Sequence, residues 1–225
     1  MSSNAFGAVV FVSGAGFAPG MGGGSGLALC AAAVVIAYFM GNISPAILIG
    51  RLHGVDIRKE GSGNAGTTNV LRVLGKRAAA ETLAVDIFKG VLAVALGKIF
   101  GGFALTEPQV LAALCAAAVL LGHIWPLCFG FRGGKGIATG FGAIITFQWQ
   151  IGLGLLIIAL SGIILSQRVS VGSVLAALAL PVLTWFFAPG FEIVFVPLAL
   201  IVLWKHRANI GRILSGKEPK ISFKK

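Results

Sequence analysis

Residues 27–50 read LALCAAAVVIAYFMGNISPAILIG, twenty-four residues without a charged side chain. As a helix rising 1.5 Å per residue, the run would extend about 36 Å. That exceeds the ~30 Å hydrocarbon core of a bilayer, which about twenty apolar residues cross. Two further runs of spanning length, 78–100 and 109–129, are also predominantly apolar. The rest of the 225-residue chain agrees: 57% of it is hydrophobic, only 11% is charged, and mean hydropathy is +0.95. A soluble domain carries about 25% charge, so this chain has too little polar surface for a soluble globule. The apolar content excludes disorder, and three cysteines are too few for a disulfide scaffold. Lys and Arg number 18 against 7 Asp and Glu, a net charge of +11. Such an imbalance suits nucleic acid or a membrane protein with basic loops on one side, and the apolar content favours the membrane.

Beyond the glycines at 133–136 the chain stays apolar almost to Trp204. Polar breaks at Gln148 and Gln150, at 166–168 and at 188–190 divide it into 137–147, 151–165, 169–187 and 191–204. The expectation is an all-α integral membrane protein, a compact bundle of about seven transmembrane helices. Five spans are the alternative if pieces merge. Sixteen of the eighteen basic residues fall in loops that alternate to one side, and the loops near 101–108 and 188–190 hold none. The positive-inside rule then puts the N-terminus outside and the C-terminus in the cytoplasm. An even number of crossings must join the 130–136 loop to the C-terminal tail, which four pieces satisfy. The piece 137–147 reaches only about 16 Å and must be a short, shielded helix or a partial crossing. Residues 1–26 hold eight glycines and no Lys or Arg. They lack the basic start of a signal peptide and read as a flexible outer tail before a single transmembrane domain, 27–225. Cys30, Cys115 and Cys128 lie in apolar runs without CxxC spacing and read as small buried hydrophobes.

The dense chemistry falls in three stretches on the basic side. The first is RKEGSGNAGTTNVLR, 58–72. Its glycines free the backbone to turn, its Ser and Asn suit a helix cap, and a glycine-preceded helix start is an anion site. On the helix that follows, Asn69 and Thr68 each share a face with Arg72. Membrane orientation is explanation enough for Lys59, Lys76 and Arg77, but it needs none of the glycines or amides. The second is GHIWP, 122–126, followed by FRGGKGIAT, 131–139. Three glycines around a lysine that opens a helix suit a phosphate held by N–H groups and an ammonium. This is not a P-loop, because Gly136 stands where Ser or Thr is required and Phe129 where Gly is required. The third is KHRANIGR, 205–212, where the last span exits. A basic flank explains Lys205 and Arg207 but not His206 and Asn209, which share a helix face. Asp86 and Lys89 lie within the second span at i, i+3 and pair with each other or support the pocket. Ser170 and Ser173 line that pocket or cap a helix, and His123 with Pro126 marks a helix end.

In order and spacing these stretches resemble the bacterial acyl-phosphate:glycerol-3-phosphate acyltransferases, an integral-membrane family that makes lysophosphatidic acid. The likeness runs through Gly61–Arg72, Gly122–Pro126 with Phe131–Thr139, and His206–Arg212 with Gly216 and Glu218. Asp86–Gly90 and Val169–Ser173 join it, so it covers about 27–222. Thr67, Trp125 and Lys217 depart from the family's usual Ala, Phe and Thr. The resemblance implies seven spans and transfer of a fatty acyl group from acyl phosphate to the 1-hydroxyl of sn-glycerol-3-phosphate, with release of phosphate. It implies no cofactor, no metal and no thioester donor. Ser62, Arg72, His206 and Asn209 are then the expected catalytic residues. Gly63, Asn64, Thr68, Asn69, Arg132, Gly133, Gly134, Lys135, Gly136, Thr139, Ser170, Ser173 and Arg212 are expected to bind substrate, and Asp86, Lys89 and Glu218 to support the pocket. Lys135 and the 133–136 loop would hold the phosphate of glycerol-3-phosphate, and Arg72 with the 62–64 turn the acyl phosphate. Either His206 or the donor's own phosphate takes the hydroxyl proton. No base adjoins Ser62, which argues against a covalent nucleophile. The expected partners are the two substrates, the bilayer and the soluble enzyme that makes acyl phosphate. Nucleic acid is not among them, and the chain is expected to be a monomer in the bacterial inner membrane with its site facing the cytoplasm. The contrasting reading is a small transporter of organic anions, against which the cations cluster on one side rather than at the midplane.

Overall fold

Charge-free runs with Gly and Pro at their ends form helices wherever lipid leaves the backbone no other hydrogen-bond partner. The computed structural model describes residues 23–105 and 107–221, and among these every regular element is helical. The elements are α1 (Gly23–Asn42), α2 (Pro45–Leu52), α3 (Thr67–Leu74), α4 (Lys76–Ala104), α5 (Pro108–Ile124), a 3₁₀ turn (Leu127–Phe129), α6 (Ile137–Phe147), α7 (Trp149–Ser166), α8 (Val169–Phe187), α9 (Glu192–Lys205) and α10 (Arg207–Leu214). Of the expected outer tail, 23–26 is instead the first turn of α1, and the remainder lies outside the described residues. The run 27–50 breaks before Pro45, which opens α2 at a position where its missing N–H costs nothing.

Large apolar side chains such as Phe88, Phe103, Leu165 and Phe186 are exposed, while the buried interior is rich in alanine and glycine. That distribution suits a bundle immersed in lipid, where close backbone approach replaces the hydrophobic effect. At Gly97 of α4, an added Cβ would stand 2.8 Å from the Ala112 Cα of α5. The central helix α4 packs on α1, α5 and α6, and α8 pairs with α7 and α9. Four helical segments are long and apolar enough to cross a membrane by themselves: Gly23–Leu52, Pro108–Phe129, Trp149–Ser166 and Val169–Phe187. The pair α9–α10, bent by 60°, would count as a fifth only if the two helices formed one span. The 29 residues of α4 rise about 43 Å but carry Asp86, Lys89 and Lys98. The 11 residues of α6 rise only about 16 Å. All seven expected pieces are therefore helical, with α4 too charged and α6 and α9 too short to pass on composition and length alone.

A second, smaller core of Ala46, Ile47, Ile57, Val70 and Ala79 joins α2, the 53–66 loop, α3 and the start of α4 into a cap on one end of the bundle. The other basic loops gather at the same end. Cys115 is buried as expected, but Cys128 is exposed, because the helix stops at Ile124 before Pro126 and Cys128 falls in the 3₁₀ turn beyond it.

Candidate active site

The 57–66 loop is held by one amide. Asn69, buried in the first turns of α3, accepts from the Ser62 N–H (2.7 Å) and hydroxyl (3.1 Å) through Oδ1. Its Nδ2 donates to the carbonyls of Ile57 (3.0 Å) and Glu60 (2.9 Å). Gly61 and Gly63 take positive φ, +59° and +68°, to make the turn. Neither Ser62 nor Asn64 caps the helix; Gly66 stands at the cap without a side-chain bond. The 62–64 turn also offers an anion less than expected, since the Ser62 N–H is taken by Asn69 and the Gly63 N–H by the Glu60 carbonyl at 2.9 Å. Arg58 ties the loop to the 3₁₀ turn through the Phe129 carbonyl (3.3 Å).

The 131–136 loop differs from expectation in the same way. The N–H groups of Gly133 and Gly134 donate to the carbonyls of Ile124 and His123, each at 3.2 Å. They fasten the loop to the end of α5 rather than cradle a phosphate. Glycine is required at 134 by space: a Cβ there would strike the His123 ring and stand 2.7 Å from the Ala65 carbonyl of the first loop. Gly136, at φ +87°, caps α6. Lys135, between them, is half-buried and donates to Asn209 Oδ1. Burial lowers its pKa from the usual lysine value to about 8; Arg212 pushes the same way and Glu218 opposes.

The chain bends at His206 between α9 and α10. His206 is buried, and its Nδ1 lies 2.8 Å from the Val202 carbonyl. A carbonyl only accepts, so Nδ1 carries the proton and Nε2 is left as an acceptor. Just past the last span, burial pulls the His206 pKa down to about 4. Glu218, on the segment after α10, organises this stretch. Its Oε1 accepts from Ser170 and from Asn209 Nδ2, and its Oε2 from Arg212 Nε, all at 2.7 Å. Burial alone would raise the Glu218 pKa, but those three donors hold it below the usual carboxylate value. By taking the Nδ2 end of Asn209, Glu218 turns the other end toward Lys135.

Beneath the loops lies a buried ionic cluster. Lys89 Nζ is 2.8 Å from Asp86 Oδ1, donates to the carbonyls of Ile43 (2.7 Å) and Gly41 (3.2 Å), and approaches His123 Nδ1 at 2.9 Å. Thr139 Oγ1 is 3.2 Å from the same His123 nitrogen. Among the described residues, no group of three or more His, Cys, Asp or Glu side chains is placed to hold a metal ion.

Two hollows meet at these residues. A cavity of about 480 Å³ is polar at one end, where Arg72, Thr68, Lys135, Asn209 and His206 face it with Ser170 and Ser173. It continues among α4, α5, α6, α7, α8 and α9 along leucines, isoleucines and alanines. An outer basin of about 520 Å³ is lined by Arg58, Arg132, Lys205, Arg207 and Arg212, with Gly63 and Gly133. Ser62, Asn64, Lys135 and Asn209 border both. Of the expected ligands, Asn69 borders the cavity but spends its amide on the loop. Gly134, Thr139 and Lys89 border neither hollow; Thr139 is fully buried against His123. Reading by sequence missed Arg58, Lys205 and Arg207, which sit in basic flanks that orientation already explains. It also missed Thr67, whose buried hydroxyl lines the cavity without a hydrogen-bond partner.

Residues 31–216 match the family described as glycerol-3-phosphate acyltransferase. The chain belongs to that family. It is 45% identical over 195 residues to the glycerol-3-phosphate acyltransferase of Synechococcus sp. (strain CC9902), covering 85% of this chain and 94% of the relative. It is 43% identical over 194 residues to the enzyme of Cronobacter sakazakii, covering 84% and 90%. Among solved structures it is similar to PlsY (YgiH), an integral membrane glycerol 3-phosphate acyltransferase, in two forms. The glycerol 3-phosphate form gives a TM-score of 0.78 at 29% identity, and the lysophosphatidic acid form 0.75 at 28%; each comparison covers 88% of this chain and 96% of the other. The protein is thus an integral membrane acyltransferase of lipid biosynthesis, and the transporter reading falls.

Proposed function

We propose that the chain transfers a fatty acyl group from acyl phosphate to the 1-hydroxyl of sn-glycerol-3-phosphate, giving lysophosphatidic acid and phosphate. The reaction takes place at the cytoplasmic face of a bacterial inner membrane, within a seven-span domain whose N-terminus is outside. One observation carries this reading: a cavity with a cationic, hydrogen-bonding mouth runs on into an apolar slot among the membrane helices. An acyl phosphate has that division, an anionic head on a lipid tail. The adjoining basic basin admits a second, fully polar anion, and Lys135 and Asn209 stand where the two substrates meet.

In this scheme Lys135 takes the phosphate of glycerol-3-phosphate, while Arg72, Thr68 and the first turn of α3 take that of the donor. Ser62 and Asn209 steady the hydroxyl and the carbonyl oxygen as it gains charge. His206 Nε2 accepts a hydrogen bond from the attacking hydroxyl. A buried imidazole with a pKa of about 4 is a weak store for a proton. The oxygen of the departing phosphate becomes a better base as its bond to the acyl carbon breaks, so the proton leaves on phosphate and His206 aligns the nucleophile. The C–O bond to phosphate breaks as the ester C–O bond forms, so no external acid or base is consumed. The deciding experiment gives purified protein in nanodiscs glycerol-3-phosphate with acyl phosphate, acyl-CoA or acyl-carrier protein, each alone. Lysophosphatidic acid with equimolar phosphate is expected only from the first; product from a thioester alone overturns the donor assignment.

A further inference from the structure

We propose that the apolar slot has a floor, formed chiefly by Phe195, that limits how long an acyl tail the enzyme holds. The inference rests on the proposed seating of the tail in that slot. On α4 and α5 the slot's lining ends at Ile87 and Ala116, and at the deep end it stops at four side chains: Ile144 of α6, Leu155 of α7, Leu180 of α8 and Phe195 of α9. All four are buried. The next inward side chains do not border it. Thr184, one turn beyond Leu180, is fully buried and gives its hydroxyl to the Leu180 carbonyl at 2.8 Å. Below Phe195 the Phe147 ring packs against both Phe195 and Phe191, with centroids 4.9 and 5.0 Å apart, and these three rings plug the bottom.

The depth follows from the helices. Ser170 and His206 mark the polar end on α8 and α9, and Leu180 and Phe195 lie ten and eleven residues away. At 1.5 Å per residue this is about 15–17 Å. An extended chain advances about 1.3 Å per carbon, the zigzag projection of a ~1.5 Å bond, so a straight tail of about twelve carbons reaches the floor. Leu83, Leu156 and Leu160 border the slot and are also exposed, so its side is open to lipid. A longer tail must bend out through that opening. Carbons that fit exchange lipid for protein with little gain, whereas carbons that meet the floor are crowded, so the ruler works by exclusion.

The test uses the full chain in nanodiscs of one lipid composition, with lysophosphatidic acids of 10, 12, 14, 16 and 18 carbons as inhibitors. Affinity is reported relative to lipid mole fraction. Wild type is expected to be flat to about twelve carbons and weaker by about tenfold at eighteen, the scale of overpacking. Phe195→Ala, or the milder Phe195→Leu, moves the fall to longer tails. Ala177→Leu, on a different helix about 10 Å below Ser170, moves it to shorter ones. Taking the ratio of each variant to wild type at each length cancels partitioning into lipid. A wild-type profile flat to eighteen carbons overturns the floor, as does one that no variant shifts. Lysophosphatidic acid is the product whatever donor is used, so failure of acyl phosphate as donor leaves this measurement intact.

Discussion

Replacing Glu218 by Gln isolates the group that sets both the orientation of Asn209 and the charge on Lys135. The carboxylate accepts three hydrogen bonds, from Ser170, Asn209 and Arg212. A carboxamide can accept at only one end. If its oxygen serves Arg212, its NH₂ meets Ser170 and the Asn209 NH₂. Asn209 must then flip and present its own NH₂ to the Lys135 ammonium. Losing one charge-assisted bond of about 1.5–3 kcal/mol corresponds to a fall of roughly tenfold to 150-fold in kcat/KM for glycerol-3-phosphate. The pH dependence is more telling. The Lys135 pKa is about 8, so its ammonium is present below that pH and lost above it. Because kcat/KM reports groups of the free enzyme, it should decline as pH rises through about 8. Glu218 is among the influences that raise the Lys135 pKa, so Glu218→Gln must move the basic limb to lower pH. Glu218→Asp keeps the charge and should keep the limb while losing rate. The assay is initial-rate release of phosphate between pH 6 and 10. A basic limb that stays in place or moves up in Glu218→Gln refutes the coupling.

His206→Gln is expected to lower kcat about tenfold and leave the shape of the pH profile unchanged; loss of a limb would restore His206 as the general base. Ser62→Ala should cost about tenfold and still turn over, since the Ser62 hydroxyl points to Asn69 Oδ1 and not to a base; complete loss, or an acyl-enzyme trapped in quenched single turnovers, would contradict this. Gly134→Ala drives a methyl into the His123 ring and the Ala65 carbonyl, so KM for glycerol-3-phosphate should rise at least tenfold while secondary structure by circular dichroism is retained. Lys89→Met takes the ammonium from Asp86 in the interior and leaves it only the His123 ring, 3.3 Å from Oδ1, a loss of about 3–5 kcal/mol that thermal denaturation in detergent should register as a clear fall in Tm.

What could be read from the chain alone followed the range of the physics. Apolar runs interrupted by Gln148, Arg168 and Pro189 locate helices because the determinants are local. The three polar stretches could be found because orientation does not require their glycines, amides and histidine. What those glycines do was misread. Whether the N–H of Gly133 is free depends on Ile124, and the reason for Gly134 is a ring eleven residues earlier in the chain. Asn69 and Thr139 carry the residue types of ligands, but the fold turns one back onto its own loop and the other against His123. Thr67 stands in the chain as one departure from the family's usual Ala, and only the fold buries its hydroxyl beside the cavity.

The Lys89 ammonium does more than balance Asp86. It supplies the donors for the Gly41 and Ile43 carbonyls, where the backbone breaks between α1 and α2, from 48 and 46 positions further along the chain. The Asn42 side chain likewise waits for the Cys128 N–H, 86 positions later. The end of the first membrane segment therefore lacks its native partners when it leaves the ribosome. It gains them only after α4 and the 3₁₀ turn behind α5 have been made. The first half of the enzyme must consequently mature as one unit, and a chain truncated before Lys89 would hold a first segment with its closing carbonyls unsatisfied.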